Sequence, residues 1–312
     1  MFTMPGKIRS YKIRSRRRRP VRRTTRYKKR PRQSYRTKRR ASKRSILNMV
    51  VKKKRDTYLS GAAPGINPDP AAVVNRGQSI TLNQATTNGS QRVHFTLYNA
   101  THRFLVPDNY SYRASRTATR TYAVGLKEAY RLIPNTNEVW WHRRVVFSYK
   151  SALGPVAIQQ DLGVQASPSA TTVRPFRDLS GEAATNGPYA TLAAQAYDYM
   201  FKGTSGVDWG DPMRAPIDKT RINLHSDTFR RLASGNEASN PRITRHYTRI
   251  NRSVVYDDEE NGVDVNPSPF SVDSKPGIGN IFVADFFHCP APGDADSSLE
   301  VSSSSTYYWH EK

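Results

Sequence analysis

The sequence predicts an all-β fold: an antiparallel sandwich or jelly roll of seven or eight short strands with long loops, preceded by a disordered basic arm. Three observations lead there. Short segments rich in Val, Ile, Thr and aromatic residues recur from Gln78 onward. Connections rich in Gly, Pro, Ser and Thr separate them, and helix is hinted at little, by residues 192–200 and by the ambiguous 124–133. All the excess positive charge sits at one end of the chain.

That end is residues 1–55, with 25 of the chain's 50 Lys and Arg and none of its 25 Asp and Glu. The remainder is formally neutral, so the net charge of +25 belongs to the arm. Apolar residues such as Ile8, Ile13 and Val21 are too sparse to offset the entropy of ordering, and like charges repel. Pro20 and Pro31 interrupt any helix, and Tyr11, Tyr27 and Tyr35 stand among the arginines. Arg pairs bidentately with phosphate and Tyr stacks on unpaired bases. The candidate nucleic-acid contacts are therefore Arg16, Arg17, Arg18, Arg19, Arg22 and Arg23, then Lys28, Lys29, Arg30, Arg39 and Arg40. The same run reads as a nuclear-localisation signal, and the two uses are compatible.

The chain of 312 residues, 37% of them hydrophobic, can bury the core of one large domain, drawn here over residues 56–312. It contains no apolar run long enough to span a bilayer, and no apolar segment follows the basic N-terminus as in a secretory signal. A soluble protein made in the cytosol is expected, with no membrane partner. Cys289 is the single cysteine, which excludes an intramolecular disulfide and suits a small buried side chain.

Residues 45–57 hold ILNMVV between basic flanks, either a first strand or the point where the arm docks. GAAPGINPDP (61–70) is turn chemistry, and the compact domain starts near it. QSITLN (78–83) and QRVHFTLY (91–98) alternate and read as two adjacent strands. VGLKEAYRLI (124–133) fits both a helical and a two-residue period. VWWHRRVVFSYK (139–150) reads as a strand that forms a hairpin with it across PNTN. Residues 151–191 read as long surface loops, and 192–200 as a short helix. Further strands are expected at 221–227, 243–250, 252–256, 281–288 and 305–311.

A search for chemistry yields little. The seven histidines are scattered without the spacing of a metal pair, and no phosphate-binding loop or nucleophile elbow occurs. No cofactor and no enzymatic activity are expected. Asp257, Asp258, Glu259 and Glu260 are the only candidates for holding a divalent cation; the competing reading is an acidic surface turn facing a neighbour's arginines. Lys52, Lys53, Lys54 and Arg55 join the arm to the first ordered element and are candidate nucleic-acid contacts. Arg143 and Arg144, beside Trp140 and Trp141, are candidates too, although neighbours on a strand face opposite ways. Their competing role is pairing between subunits or within the sheet.

The run VGLKEAYRLIPNTNEVWWHRRVVF resembles the capsid proteins of genomoviruses, small circular single-stranded DNA viruses related to geminiviruses. So, in order, do FKGTSGVDW (201–209), RLASGN (231–236), SVVYDDEENG, KPGIGNIFVADFFH (275–288) and the terminal YYWHEK. The likeness runs from about Lys52 to Lys312; the arm matches by composition only, and residues 151–188 match weakly. It implies one jelly-roll domain, residues 124–133 as a strand, and an icosahedral shell of about sixty copies with the arms inside. The implied partners are a single-stranded DNA genome, further copies of the chain and a host nuclear import receptor; the implied locations are the virion and, during assembly, the host nucleus. Two other classes fit the basic arm: a cellular nucleic-acid-binding protein of ribosomal or chromatin type, and a nuclease or integrase with a convergent acidic pocket.

Overall fold

The computed structural model describes residues 49–83, 86–87, 90–91, 93–106, 114–180, 187–233, 240–290 and 297–311. The first half of the described chain holds β1 (Lys52–Ala62), β2 (Asn75–Arg76), β3 (Ile80–Asn83), β4 (Thr86–Thr87), β5 (Ser90–Gln91), β6 (Val93–Asn99), β7 (Arg120–Pro134) and β8 (Trp140–Tyr149). A 3-10 helix (Val156–Leu162), β9 (Arg174–Phe176) and α1 (Pro188–Met200) follow. The chain continues through β10 (Asn223–Leu232), β11 (Arg242–Val255), β12 (Glu259–Asn261), β13 (Asp264–Asn266), β14 (Asn280–His288) and β15 (Ser298–Glu311).

These strands build an antiparallel β-sandwich. The first sheet has the order β11-β7-β15-β1, extended by β2 and the parallel β9 on β1 and by β3 on β15; the second has the order β10-β8-β14-β6. Between the sheets, Tyr58, Leu126, Val254 and Trp309 of the first meet Tyr98, Val146, Ile281 and Val283 of the second. The far side of the second sheet is covered as well: Phe95, Val145, Phe147 and Phe286 pack on Leu192, Ala196 and Met200 of α1 and on Leu153, Leu162 and Leu179. All nine residues of β14 are therefore buried, as its apolar run, broken only by Asp285 between Ala284 and Phe286, suits. The first sheet keeps one bare face, and β7 and β11 alternate buried with exposed residues along most of their length.

The sequence expectations are corrected at several points. β3 and β6 are not neighbours: Ile80 and Leu82 pack beside Leu299 and Val301 in the first sheet, while β6 pairs with β14 in the second. β7 and β8 form no hairpin, because the turn after Pro134 carries the chain from one sheet to the other. Each then lies between two other partners. Residues 124–133 are strand throughout. The two strands expected over 243–256 are one, β11, because Asn251 adopts a left-handed φ of 51° and makes a bulge there. β1 begins at Lys52, beyond ILNMVV. Residues 151–180 form a covering layer, with Leu153, Leu162, Arg174, Asp178 and Leu179 buried. The expected helix begins earlier, with Pro188 in its first turn, where the missing N–H costs nothing.

Candidate nucleic-acid interface

The bare face of the first sheet is a grid whose rows are fixed by strand register. Lys53, His310 and Tyr122 form one row across β1, β15 and β7. Arg55, Tyr308, Gly125 and Arg249 form the next, followed by Thr57, Thr306, Lys127 and Tyr247. Leu59, Ser304, Ala129 and Arg245 come after, then Ser302, Arg131 and Ile243. Six exposed cations, Lys53, Arg55, Lys127, Arg131, Arg245 and Arg249, are spread over it, and none makes an ion pair among the described residues. Neighbouring strands lie about 4.8 Å apart and rows about 7 Å apart, so the cations form a continuous positive surface.

Aromatic rings are set into this surface. A Cβ at Gly125 would lie 2.8 Å from the Tyr247 hydroxyl and 2.9 Å from Tyr247 Cζ, so the missing side chain is what lets the Tyr247 ring lie along the sheet. That ring is 57% exposed and flanked by Arg245 and Arg249 on its own strand. Tyr122 stacks on His310 with ring centroids 6.2 Å apart. Partial burial and the neighbouring Lys53 lower the His310 pKa, so the pair stays neutral and available for stacking at neutral pH. Cations alternating with exposed rings match what a single strand offers, phosphates and unstacked bases.

The acidic residues of the same strands point the other way. Asp56, Glu128 and Glu311 face inward and are buried; Glu300, at one end of β15, accepts a hydrogen bond from Ser79 at 2.7 Å. Between the sheets Glu128 accepts from Arg144 Nε at 2.8 Å, from Tyr98 at 2.7 Å, and pairs with Arg174 at 3.1 Å. Arg174 also pairs with Asp285, which accepts from Tyr130 at 3.1 Å and lies 2.8 Å from His142 Nε2. Burial raises the pKa of both carboxyls, but Arg144 and Arg174 beside Glu128, and Arg174 with His142 beside Asp285, overcome it and hold both below the usual range. Sealed from solvent, this cluster cannot meet a substrate and serves to join the sheets.

This geometry revises part of the proposed contact set. Arg144 is spent on Glu128, and Arg143 donates to Asp227 at 2.8 Å and to the Pro212 and Ala215 carbonyls at 2.7 and 2.9 Å; both are buried and neither reaches an external phosphate. The alternation rule held, with the two arginines on opposite sides of β8. Lys54 is likewise turned inward, 2.8 Å from Glu311. Lys52, Lys53 and Arg55 are exposed. Arg16, Arg17, Arg18, Arg19, Arg22, Arg23, Lys28, Lys29, Arg30, Arg39 and Arg40 lie outside the described residues.

The acidic run divides. Asp258 is buried in a bidentate pair with Arg116 at 2.6 and 2.9 Å, while Glu259 and Glu260 stand exposed on the β12–β13 hairpin, so the four carboxyls do not converge on one point. Among the described residues no three of His, Cys, Asp and Glu cluster closely enough to hold a metal ion.

Lys127, Arg131, Arg245, Tyr247 and Arg249 were missed in the sequence. The signal was there in β11, where Arg245, Tyr247 and Arg249 recur with the two-residue period of one strand face. No family model matches the chain, and no curated protein sequence matches it.

Proposed function

We propose that the chain is a viral capsid protein: a jelly-roll subunit that assembles into a small icosahedral shell and packages circular single-stranded DNA. The observation that carries this reading is the segregation of charge. A run of 21 cations leads into β1, which carries four more, in a sheet whose bare face is basic and aromatic, while the acids of those strands are turned inward. Two facing sheets ordered β11-β7-β15-β1 and β10-β8-β14-β6 support the jelly-roll assignment. In the shell the bare face and the arm look toward the lumen. About sixty copies then bring roughly 1,500 arm charges, enough to neutralise on the order of 1,500 phosphates of a short genome. Binding is independent of sequence and steeply dependent on salt. Before assembly, the arm serves nuclear import.

Electron microscopy of the purified full chain, with nucleic acid recovered after nuclease treatment, tests this. Uniform closed particles of roughly 20 nm holding protected single-stranded DNA are expected. A monomer that binds nucleic acid at every concentration would refute the shell and favour a cellular binding protein. Deleting residues 1–44 should leave a folded domain whose shells are empty or unstable; normal packaging by that variant would sink the role of the arm.

A further inference from the structure

Among the described residues the two outermost strands on one flank of the sandwich, β10 and β11, each pair on one side only. Such edges present unsatisfied N–H and C=O groups that a folded protein needs to cover. Between them lies a groove of about 440 Å³ lined by Arg230, Arg231 and Arg242 together with Leu232, Ala233, Ile243 and Thr244. None of the three arginines makes an ion pair among the described residues, and Ile243 is 61% exposed.

At the other end of β11 stands the hairpin of β12 and β13. It pairs Glu259 with Asn266, Glu260 with Val265 and Asn261 with Asp264. Both of its faces are exposed, Val263 at its tip completely so, and Gly262 takes the positive φ of 66° that the tight turn needs. A two-stranded ribbon with both faces in water is marginal by itself. This one offers two exposed glutamates, an aspartate and two valines, the chemical complement of the arginine groove and its apolar lining.

One copy cannot bring the two together. The groove and the hairpin lie at opposite ends of a 14-residue strand, about 40 Å apart. The hairpin is also anchored at its base, where Asp258 binds Arg116 and accepts from Ser268 N–H at 2.9 Å. Complementary patches at opposite ends of one subunit make a heterologous, head-to-tail contact, which closes into a ring when the rotation permits.

We propose that the β12–β13 hairpin of one copy docks in the Arg230, Arg231 and Arg242 groove of the next, head to tail, as a principal contact of the assembly. This rests on the shell reading and names one of its interfaces. The test uses the full chain, with particle yield read by electron microscopy and sedimentation velocity. One variant carries Glu259→Arg with Glu260→Arg, a second carries Arg230→Glu with Arg231→Glu, and a third carries all four changes; every position is exposed, and thermal melting verifies the fold. Each paired reversal should cut particle yield by at least about tenfold, and the four-change chain should regain it. Val263→Asp, which alters only the tip, should also lose yield. Wild-type yield in either paired reversal, or a folded four-change chain that stays unassembled, overturns the docking while leaving the shell intact. If the wild-type chain forms no particles, the shell reading fails. In that case, head-to-tail association that disappears on reversal still supports the docking, and a strict monomer overturns both.

Discussion

The two sheets share one antiparallel plan and meet their surroundings in opposite ways. The second is enclosed on both sides over β6, β8 and β14, by the first sheet and by α1 with the 151–180 layer, and β14 approaches a continuous apolar run, while the edge strand β10 stays largely exposed. The first is enclosed on one side only, and along its strands the buried partners alternate with exposed cations and rings. A sheet covered twice is a structural element; a sheet covered once has a face left for work. The difference also separates two kinds of charge, with Arg144 and Arg174 neutralised between the sheets and Lys127, Arg131, Arg245 and Arg249 facing outward.

Substitutions can break this contrast, and the largest effect is expected between the sheets. Asp285→Ala leaves Arg174 and His142 without their shared carboxylate in a dry site and should cost about 3–5 kcal/mol, measured by urea unfolding. Leu192→Ala, under the second sheet, should cost about 3 kcal/mol with little effect on nucleic-acid binding. Acidification comes next. Burial lowers the wholly enclosed His102 to a pKa of about 4. Because the unfolded chain takes up that proton near pH 6.5, its contribution is complete above pH 6.5 and is lost as pH falls toward 4. A loss of about 2 kcal/mol between pH 7 and pH 5 is expected, and a pH-independent unfolding free energy over that range would refute it. The smallest stability effect belongs to the bare face: Arg245→Ser with Arg249→Ser should change stability by less than about 0.5 kcal/mol. The same pair should flatten the salt dependence of oligonucleotide binding by about one to two counterions, measured by fluorescence anisotropy. An unchanged salt slope would remove this face from the interface.

The sequence made legible what depends on local pattern. Strong β propensity marked β8 and β14, and composition separated the arm from the rest. Pairing was less visible, because β7 and β8 are adjacent in the chain yet belong to different sheets, and the order of strands is decided by which faces must be covered. The first half of β15 was missed for a chemical reason. The serines from Ser302 to Ser304 carry no hydrophobic period, but Ser303 accepts from Arg174 and, where the expected strand begins, Ser305 donates to Glu128, so the strand meets the buried ion cluster with hydroxyls. Arg143 and Arg144 were left open between two roles for the same kind of reason: Asp227 and Glu128 are distant along the chain, and nothing local distinguishes a buried arginine from one at the surface.

The pairing of β1 with β15, Lys52 opposite Glu311, has a kinetic side. β1 joins its sheet principally through β15, about 250 residues further along, so closing that pair carries the loop-closure entropy of a very long contact. The exposed Lys53 and Arg55 therefore line up with the cations of β7 and β11 only once β15 is in place between them.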